Sequence, residues 1–287
     1  MITLEQLQAG LVLPIDKPRQ WTSFQAVNKI KAVVRNAYLH PPSSPLEGGR
    51  GVKPKIKIGL AGTLDPLATG LLLVCLGKAT KSIPQLQDGD KVYTGTFVFG
   101  ATTPCYDLEQ AVDHYYPYEH ITRELLNETV QQFIGTLMQV PPMFSAVKVD
   151  GQRAYQLARE ESGERRVESG EPRAKQVQVY NFEITAFRQG TSNQNTPSTP
   201  ITHNSLITKN LYQNPLGEVP SYLPQADFRI RCGKGTYIRS IARDLGVALG
   251  SGAFLSALRR EQIGDYSVEQ ALHPDQVADW FSTAEKC

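Results

Sequence analysis

The chain has 287 residues, of which 40% are hydrophobic and 20% are charged, and this balance excludes both a small disulfide-stapled scaffold and a disordered protein. Its longest continuous apolar run, residues 71–76, is too short to cross a bilayer, so we predict a cytoplasmic protein with no membrane partner. The formal net charge of +2, taken as a total, points to no particular partner.

The first predicted helix begins after Thr22 and Ser23, which are residue types that cap helices. Apolar residues then recur every three or four positions, as expected for an amphipathic helix packed on one side. These residues are Phe24, Val27, Ile30, Val33 and Val34. We expect the opposite, exposed face to carry three basic residues, Lys29, Lys31 and Arg35.

The later segments mix strand and helix patterns. Residues 71–76 are continuously apolar, which indicates a buried strand, and residues 91–100 alternate with period two, which predicts a half-buried strand. Residues 176–187 and 227–232 also alternate and are predicted to be half-buried strands. Residues 122–133 and 237–249 have the apolar spacing of helices. After residue 264 we expect one strand and a helix containing Val277, Trp280 and Phe281. Together these elements predict a single α+β body.

Two tracts are too polar, or too rich in Pro, Ser and Gly, to continue this pattern. They cover about residues 38–54 and 190–224, and we predict that both are surface insertions with weak order.

The charges are segregated along the chain. Residues 1–81 carry 11 Lys and Arg against 4 Asp and Glu, residues 82–164 carry 5 against 12, and residues 227–260 carry 7 against 2. Two basic blocks flanking an acidic middle could converge on one face that binds a polyanion. The alternative is an uneven but merely solvated distribution of charge.

The four cysteines give no sign of a redox or metal function. Cys75, Cys105, Cys232 and Cys287 are scattered, with no C-x-x-C pair. The sequence therefore suggests neither a disulfide framework nor a zinc site, and reduced thiols are expected.

The densest cluster of special residues is Gly59-Leu60-Ala61-Gly62-Thr63-Leu64-Asp65-Pro66. Two glycines allow the backbone to approach a ligand closely, and the acid is followed at once by a proline that fixes the chain. This arrangement could hold a carboxylate rigidly at the mouth of a cleft. Taken alone, the alternative is more common: Asp65 would cap a helix whose first residue is Pro66.

Five patterned segments stand along the chain. They are residues 10–18, ending in Asp16-Lys17-Pro18, with Trp21-Thr22-Ser23; residues 59–70 with 76–81; Lys91-Val92-Tyr93; residues 139–148 with Gly151, Ala154-Tyr155 and Ala158-Arg159; and residues 233–240 with Asp244-Leu245-Gly246 and Leu258-Arg259-Arg260. In this order they resemble the motifs of the pseudouridine synthases of the TruB type, which modify uridine in the T-loop of transfer RNA. The resemblance covers about residues 10–260 and is broken only by the two polar tracts.

The resemblance implies a fold and a domain arrangement. We expect the pseudouridine synthase fold, with a mixed, mostly antiparallel central sheet flanked by helices and loops. Residues 1–263 would form the catalytic domain, with insertions at about 38–54 and 190–224. Residues 264–287 would be a short tail, too short for the full C-terminal RNA-binding domain that many bacterial members carry.

The implied reaction breaks the C1′–N1 bond of uridine, turns the uracil and joins C5 to C1′, so no cofactor is expected. By resemblance Asp65 is the catalytic carboxylate. Burial against an apolar base disfavours the ionised form of a carboxylate, so a nearby cation is needed to keep it reactive. The resemblance assigns that cation to Arg239, whose planar fork suits a carboxylate better than Lys does.

Four further residues match positions that bind substrate in the family. Tyr93 would stack on the target base, which must first leave its loop, and Tyr237 and Leu258 would line the same pocket. As isolated residues, these three would more often be core residues. Lys17 resembles the family's support beside the catalytic loop and could also touch RNA. The remaining lysines are candidate phosphate contacts, namely Lys29, Lys31, Lys53, Lys55, Lys57, Lys78 and Lys81.

Two positions depart from the family pattern. Leu60 stands where the family usually has a histidine that stacks on a displaced nucleotide, so this aid to base flipping is missing. Phe144 stands where a tyrosine is common.

The predicted function is isomerisation of a T-loop uridine, position 55 of tRNA, to pseudouridine. We expect a monomer with no obligate protein partner, no cofactor and no metal. The alternatives are a synthase of the same superfamily that acts on another RNA, and a non-catalytic RNA-binding or RNA-folding protein on the same scaffold.

Overall fold

A computed structural model describes residues 2–39, 56–142, 148–149, 152–153, 173–190 and 219–283. Most of both predicted insertions and part of the fourth motif, including Phe144, lie outside these residues. The chain divides into two compact units, which are described one at a time: unit 1 is Met1–Tyr93 with Arg259–Cys287, and unit 2 is Thr94–Leu258.

The described helices are α1 (Leu4–Ala9), α2 (Ser23–Val34), α3 (Ile83–Asp88), α4 (Arg123–Thr129), α5 (Ile238–Ala248) and α6 (Val277–Thr283). Short helical turns follow or precede them at Arg35–Leu39, Gly77–Ser82, Val130–Phe133 and Val268–Gln270. The described strands are β1 (Leu11–Lys17), β2 (Ile58–Ala61), β3 (Thr69–Leu76), β4 (Lys91–Phe99), β5 (Ala101–Thr102), β6 (His114–Tyr115), β7 (Gly135–Gln139), β8 (Lys148–Val149), β9 (Gln152–Arg153), β10 (Lys175–Arg188), β11 (Gln225–Cys232), β12 (Ala253–Ile263) and β13 (Tyr266–Ser267).

Strand β3 is the centre of unit 1. It pairs antiparallel with β1, from Leu11 opposite Leu76 to Lys17 opposite Gly70, and antiparallel with β2. The end of β12 runs parallel to the start of β3, where Arg260 lies opposite Gly70. Strand β3 has neighbours along both edges and is buried from Gly70 to Leu76, which accounts for its run of apolar residues. The predicted buried strand is therefore confirmed.

Helix α2 packs Val27, Ile30 and Val34 into the core of unit 1, as the spacing predicted, and Val33 packs partly buried against the same cluster. The prediction for Phe24 is wrong: its side chain is 59% exposed, and Ala26 is buried instead. Thr22 is the N-cap of α2 and forms a capping box with Gln25. The predicted exposed basic residues of this helix are exposed. Val277 and Phe281 of α6 belong to the same core cluster as the buried face of α2.

In unit 2 the strand order is β12, β4, β11, β10, β7. Strand β10 pairs antiparallel with both β11 and β7. The core contains a group of phenylalanines, in which Phe97 stacks on Phe228 with 4.0 Å between ring centroids and Phe182 packs against both. The helices and the mostly antiparallel sheet confirm the α+β prediction.

The prediction for β4 is partly wrong. The strand exists, but its two ends are buried on consecutive residues instead of alternating. Near its end Phe97 faces the phenylalanine core, while Val98 belongs to a second cluster with Phe254. Both faces are therefore covered there. Across the described ranges, no helix has the length and apolar character needed to cross a membrane.

Candidate active site

Asp65 lies in the loop of residues 62–68 that joins β2 to β3, hereafter the Asp65 loop. Gly62 enters it with φ +83°, in the left-handed region that glycine adopts readily. The Asp65 carbonyl accepts a hydrogen bond from the Ala68 amide at 3.2 Å, which closes a turn. No helix starts at Pro66, so the alternative that Asp65 is a helix cap is wrong.

Ser23, the first residue of α2, holds the residue before Asp65. Its hydroxyl donates to the carbonyl of Leu64 at 3.1 Å and accepts from the amide of Leu64 at 2.8 Å. Ser23 is buried, so water does not compete for these bonds. Both backbone groups of Leu64 are therefore fixed by one side chain.

Lys17, at the end of β1, holds the residue after Asp65. Its side chain is fully buried, and the ammonium donates to the carbonyls of Pro18, Trp21 and Pro66 at 2.9, 2.6 and 3.2 Å. Pro66 also accepts from the amide of Gln20 at 2.8 Å. These bonds place the ammonium against the backbone of the Asp65 loop. The supporting role and the RNA contact that the resemblance implies for Lys17 both stay predictions.

The charge on Lys17 is coupled to that of Asp65. Burial lowers the pKa of Lys17 to about 8, and the positive charge of Arg260 acts in the same direction. The negative charges of Asp65 and Asp16 oppose this shift. Lys17 is therefore largely protonated at neutral pH, although it titrates much closer to neutrality than a solvated lysine.

Arg260, in β12, holds the beginning of the Asp65 loop. Its guanidinium donates to the carbonyls of Leu71, Thr63 and Gly62 at 2.8, 3.3 and 3.2 Å, and the residue is buried. The adjacent Arg259 makes a bidentate pair with Asp16 in β1, at 3.0 and 2.8 Å.

The three side chains Ser23, Lys17 and Arg260 form what we call the loop clamp. Together they bind the carbonyls of four loop residues, Gly62, Thr63, Leu64 and Pro66, on both sides of Asp65. A loop held this way is ordered before substrate binds, so little entropy is lost in placing its carboxylate. The clamp can present one carboxylate in a fixed position.

In unit 2, Arg239 lies in the first turn of α5 with its side chain only 4% exposed. Its Nε is 3.7 Å from a carboxylate oxygen of Asp107, and its Nη1 donates to the carbonyl of Cys105 at 3.1 Å. Asp107 is itself oriented, because its other oxygen accepts from the amide of Glu109 at 2.9 Å. Arg239 is thus a buried guanidinium held in one orientation.

The cysteines near these residues are poor nucleophiles. Burial is the main cause that raises the pKa of Cys105 to about 12, and burial raises that of Cys75 to about 11. Both thiols therefore stay protonated at neutral pH. Within the described ranges, no cluster of three His, Cys, Asp or Glu side chains is arranged to hold a metal ion.

Tyr237 immediately precedes α5 and is fixed through its backbone. The side-chain amide of Gln139, the last residue of β7, accepts from the Tyr237 amide at 2.8 Å and donates to the Tyr237 carbonyl at 3.1 Å. One residue further on, the carbonyl of Val140 accepts from Ser240 at 2.8 Å. The start of α5 is therefore fastened to the end of β7.

The other predicted site residues lie on strands. Tyr93 is half-buried in the unit 1 part of β4, and Leu258 is half-buried in the unit 2 part of β12. In unit 1, Lys17 contacts the Asp65 loop through the carbonyl of Pro66. In unit 2, Tyr237 and Arg239 lie at the start of α5 with Ile238 between them. The pairing of Asp65 with Arg239 joins residues of different units and stays a prediction.

Three contributors were missed by sequence reasoning. Ser23 was assigned only to a helix cap and to the first motif, Arg260 was assigned only to the last motif, and Asp107 was not singled out at all. Leu60, at the departure from the family pattern, lies in β2 opposite Val74 and packs against the apolar core of unit 1. The position of Arg260 within the last of the five motifs was the signal from which a role at the site could have been predicted.

Comparison with known proteins identifies the family. The profile described as TruB family pseudouridylate synthase (N terminal domain) matches residues 50–199. The tRNA pseudouridine synthase B of Flavobacterium johnsoniae is 45% identical over 271 residues, which are 94% of this chain and 96% of that protein. That of Phocaeicola vulgatus is 41% identical over 276 residues, 96% and 95% of the two chains. This chain belongs to the TruB family of pseudouridylate synthases, and the resemblance read from the five motifs is confirmed.

Solved structures agree on the fold. One chain of a Cbf5–Nop10–Gar1 complex matches with a TM-score of 0.56 at 23% identity, covering 96% of this chain. A chain of an archaeal box H/ACA Nop10–Cbf5 complex matches with a TM-score of 0.54 at 21% identity. This chain spans 55% and 54% of those two chains. At such identities the likeness concerns the fold alone, and it supports the predicted pseudouridine synthase fold.

Proposed function

We propose that this protein isomerises a T-loop uridine of tRNA, position 55, to pseudouridine, with Asp65 as the catalytic carboxylate. The observation that carries the proposal is the loop clamp, which fixes the backbone on both sides of one acid in a chain of the TruB family. The 45% identity to a tRNA pseudouridine synthase B supports tRNA as the substrate.

The reaction needs one anionic group and no cofactor. The C1′–N1 bond of uridine breaks, the detached uracil turns, and C5 forms a new bond to C1′. The proton on C5 leaves to solvent and N1 gains a proton, so atoms and charge balance. Asp65 supplies the ionised oxygen beside the glycosidic bond, acting either as nucleophile or as base.

The other predicted residues support that carboxylate and the base. Arg239 is the proposed cation partner that keeps Asp65 ionised, and its own orientation by Asp107 supports such a role. Tyr93 stacks on the extruded uracil, which offsets part of the cost of flipping it out of the RNA, while Tyr237 and Leu258 line the pocket. Lys17 is a positioning residue, because its ammonium binds the loop backbone.

The test uses the purified full-length chain and a tRNA carrying tritium at uridine C5. We expect the wild-type protein to release tritium and Asp65→Asn to release none. Asp265→Asn is the matched control, because this exposed aspartate lies in a turn far along the chain from the loop and should react at the wild-type rate. A wild type that releases no tritium contradicts the enzyme, and an active Asp65→Asn contradicts the assignment.

The same assay separates the alternatives. A minimal T-arm hairpin should be modified, and an RNA without a T-loop should not; the opposite result would favour a synthase for another RNA. The proposal includes a cytoplasmic monomer that needs no protein partner or cofactor. Two measurements on the purified protein test these expectations. It should release tritium in the presence of a chelator, and light scattering should give the mass of a monomer.

A further inference from the structure

We propose that the outward face of α2 binds the RNA strand that leads away from the target uridine, with Phe24 stacking on a nucleotide beside the target. This face, hereafter the α2 ridge, consists of Phe24, Asn28 and Lys31 of α2 together with Arg35, the first residue of the helical turn that follows. The inference rests on the proposed function, because it adds a contact to the same RNA substrate.

The four residues form one continuous stripe. They are spaced by four, three and four positions, which places them above one another on a helix, and all four are exposed. At 1.5 Å per residue the stripe is about 16 Å long, enough to follow several nucleotides. The opposite side of the helix is buried in the core of unit 1.

The ridge begins next to the Asp65 loop. Phe24 follows Ser23, whose hydroxyl bonds both backbone groups of Leu64, and Leu64 precedes Asp65. While Ser23 is buried against the loop, the neighbouring Phe24 is 59% exposed. The exposed ring of Phe24 therefore lies one residue along the helix from the side chain that holds the Asp65 loop.

The composition of the ridge fits RNA better than a protein partner. A single exposed aromatic residue is ordinary on a protein surface, and a ridge with only one apolar side chain offers little to an apolar partner. Residues 17–46 contain no Asp or Glu, and Lys29 on the neighbouring row already pairs with Asp275 at 3.0 Å. An aromatic ring for base stacking followed by Lys31 and Arg35 for phosphates is the combination that single-stranded RNA binds.

The experiment measures binding of a fluorescently labelled T-arm hairpin by anisotropy at several salt concentrations. Phe24→Ala should raise Kd about tenfold, as expected for the loss of one stacked base, and Phe24→Trp should retain affinity. Lys31→Ala should reduce the slope of log K against log salt by about one. The controls are Val247→Ala, which changes an apolar residue that is 70% exposed on α5, and Arg123→Ala, which removes an exposed charge on α4.

A second probe tests stacking directly. The fluorescent base 2-aminopurine, placed in turn at the two nucleotides flanking the target, should be quenched by the wild-type protein and by Phe24→Trp, and recover with Phe24→Ala. Wild-type Kd and quenching for Phe24→Ala would overturn the inference. If Phe24→Ala lowers the melting temperature, the test rests on the other two variants. Loss of affinity in Phe24→Trp would overturn the inference, and so would an unchanged salt slope in Lys31→Ala.

The two proposals fail in different ways. If the proposed function is wrong, the wild type releases no tritium whether or not it binds the hairpin. If only the ridge is wrong, tritium release still depends on Asp65, while Phe24→Ala binds and reacts as the wild type does.

Discussion

Replacing Ser23 by alanine isolates the loop clamp, because the serine hydroxyl makes two bonds to Leu64 in a site closed to water. In Ser23→Ala the amide and carbonyl of Leu64 both lose their partner. A buried unsatisfied backbone group costs about 1–3 kcal/mol, so the two groups together should cost about 2–6 kcal/mol of folding stability if the loop stays in place. If the loop moves instead to reach water, Asp65 moves with it, and a displacement of about 1 Å can cost on the order of 100-fold in rate.

The assay is single-turnover tritium release at saturating RNA, together with a melting temperature. We expect Ser23→Ala to react between about 10- and 100-fold more slowly than wild type. Thr22→Ala is the matched control: it removes the cap of the same helix, worth about 1 kcal/mol, but its hydroxyl bonds only Gln25 in α2 and not the loop. Equal rates for the two variants, or a wild-type rate for Ser23→Ala, would refute the clamp.

Three further predictions follow from the contacts. The pKa of Lys17 is lowered from 10.5 to about 8, so the unfolded chain holds this proton more tightly than the folded chain does. Between pH 8 and 10.5 the free energy of unfolding should therefore rise with pH relative to Lys17→Met, by up to about 3 kcal/mol in urea unfolding. Over the same pH range turnover should fall, because the deprotonated amine has one fewer hydrogen to donate to the loop. Asp107→Asn leaves the buried Arg239 without that carboxylate, so we expect about 3 kcal/mol lower stability and at least tenfold slower tritium release; wild-type values would contradict this role. Gly70→Ala places a methyl group against the backbone oxygen of Arg260 at φ +98°, so we expect it to lower folding stability by about 2–4 kcal/mol. Gly235→Ala, at φ +83° with open space around it, should lower folding stability by only about 1 kcal/mol in the same urea unfolding measurement.

Much of the secondary structure follows from local patterns. The helical spacing after Thr22 predicted α2 with its cap, and the apolar run at residues 71–76 predicted β3. The motif around Asp65 pointed to the correct family and to the acid proposed as catalytic. These features are readable because each depends on residues that are neighbours in the chain.

Burial on the second face of a strand is not readable in this way. The alternation in β4 predicted one exposed face, but Val98 is covered by a cluster that includes Leu223, more than one hundred residues along the chain. Periodicity reports which residues could face a core, whereas the number of layers packed on a strand depends on the rest of the fold.

The motifs are strings of neighbouring residues, so the family and the proposed acid can be predicted without coordinates. Only the tertiary structure revealed what holds that acid in place, because Ser23 reaches Leu64 across 41 positions and Arg260 reaches Gly62 across 198. The Arg260 bonds depend on the pairing of β12 with β3, and the Ser23 bonds depend on the packing of α2 against the Asp65 loop. A local sequence pattern cannot predict such contacts, because the two residues come together only when the chain folds.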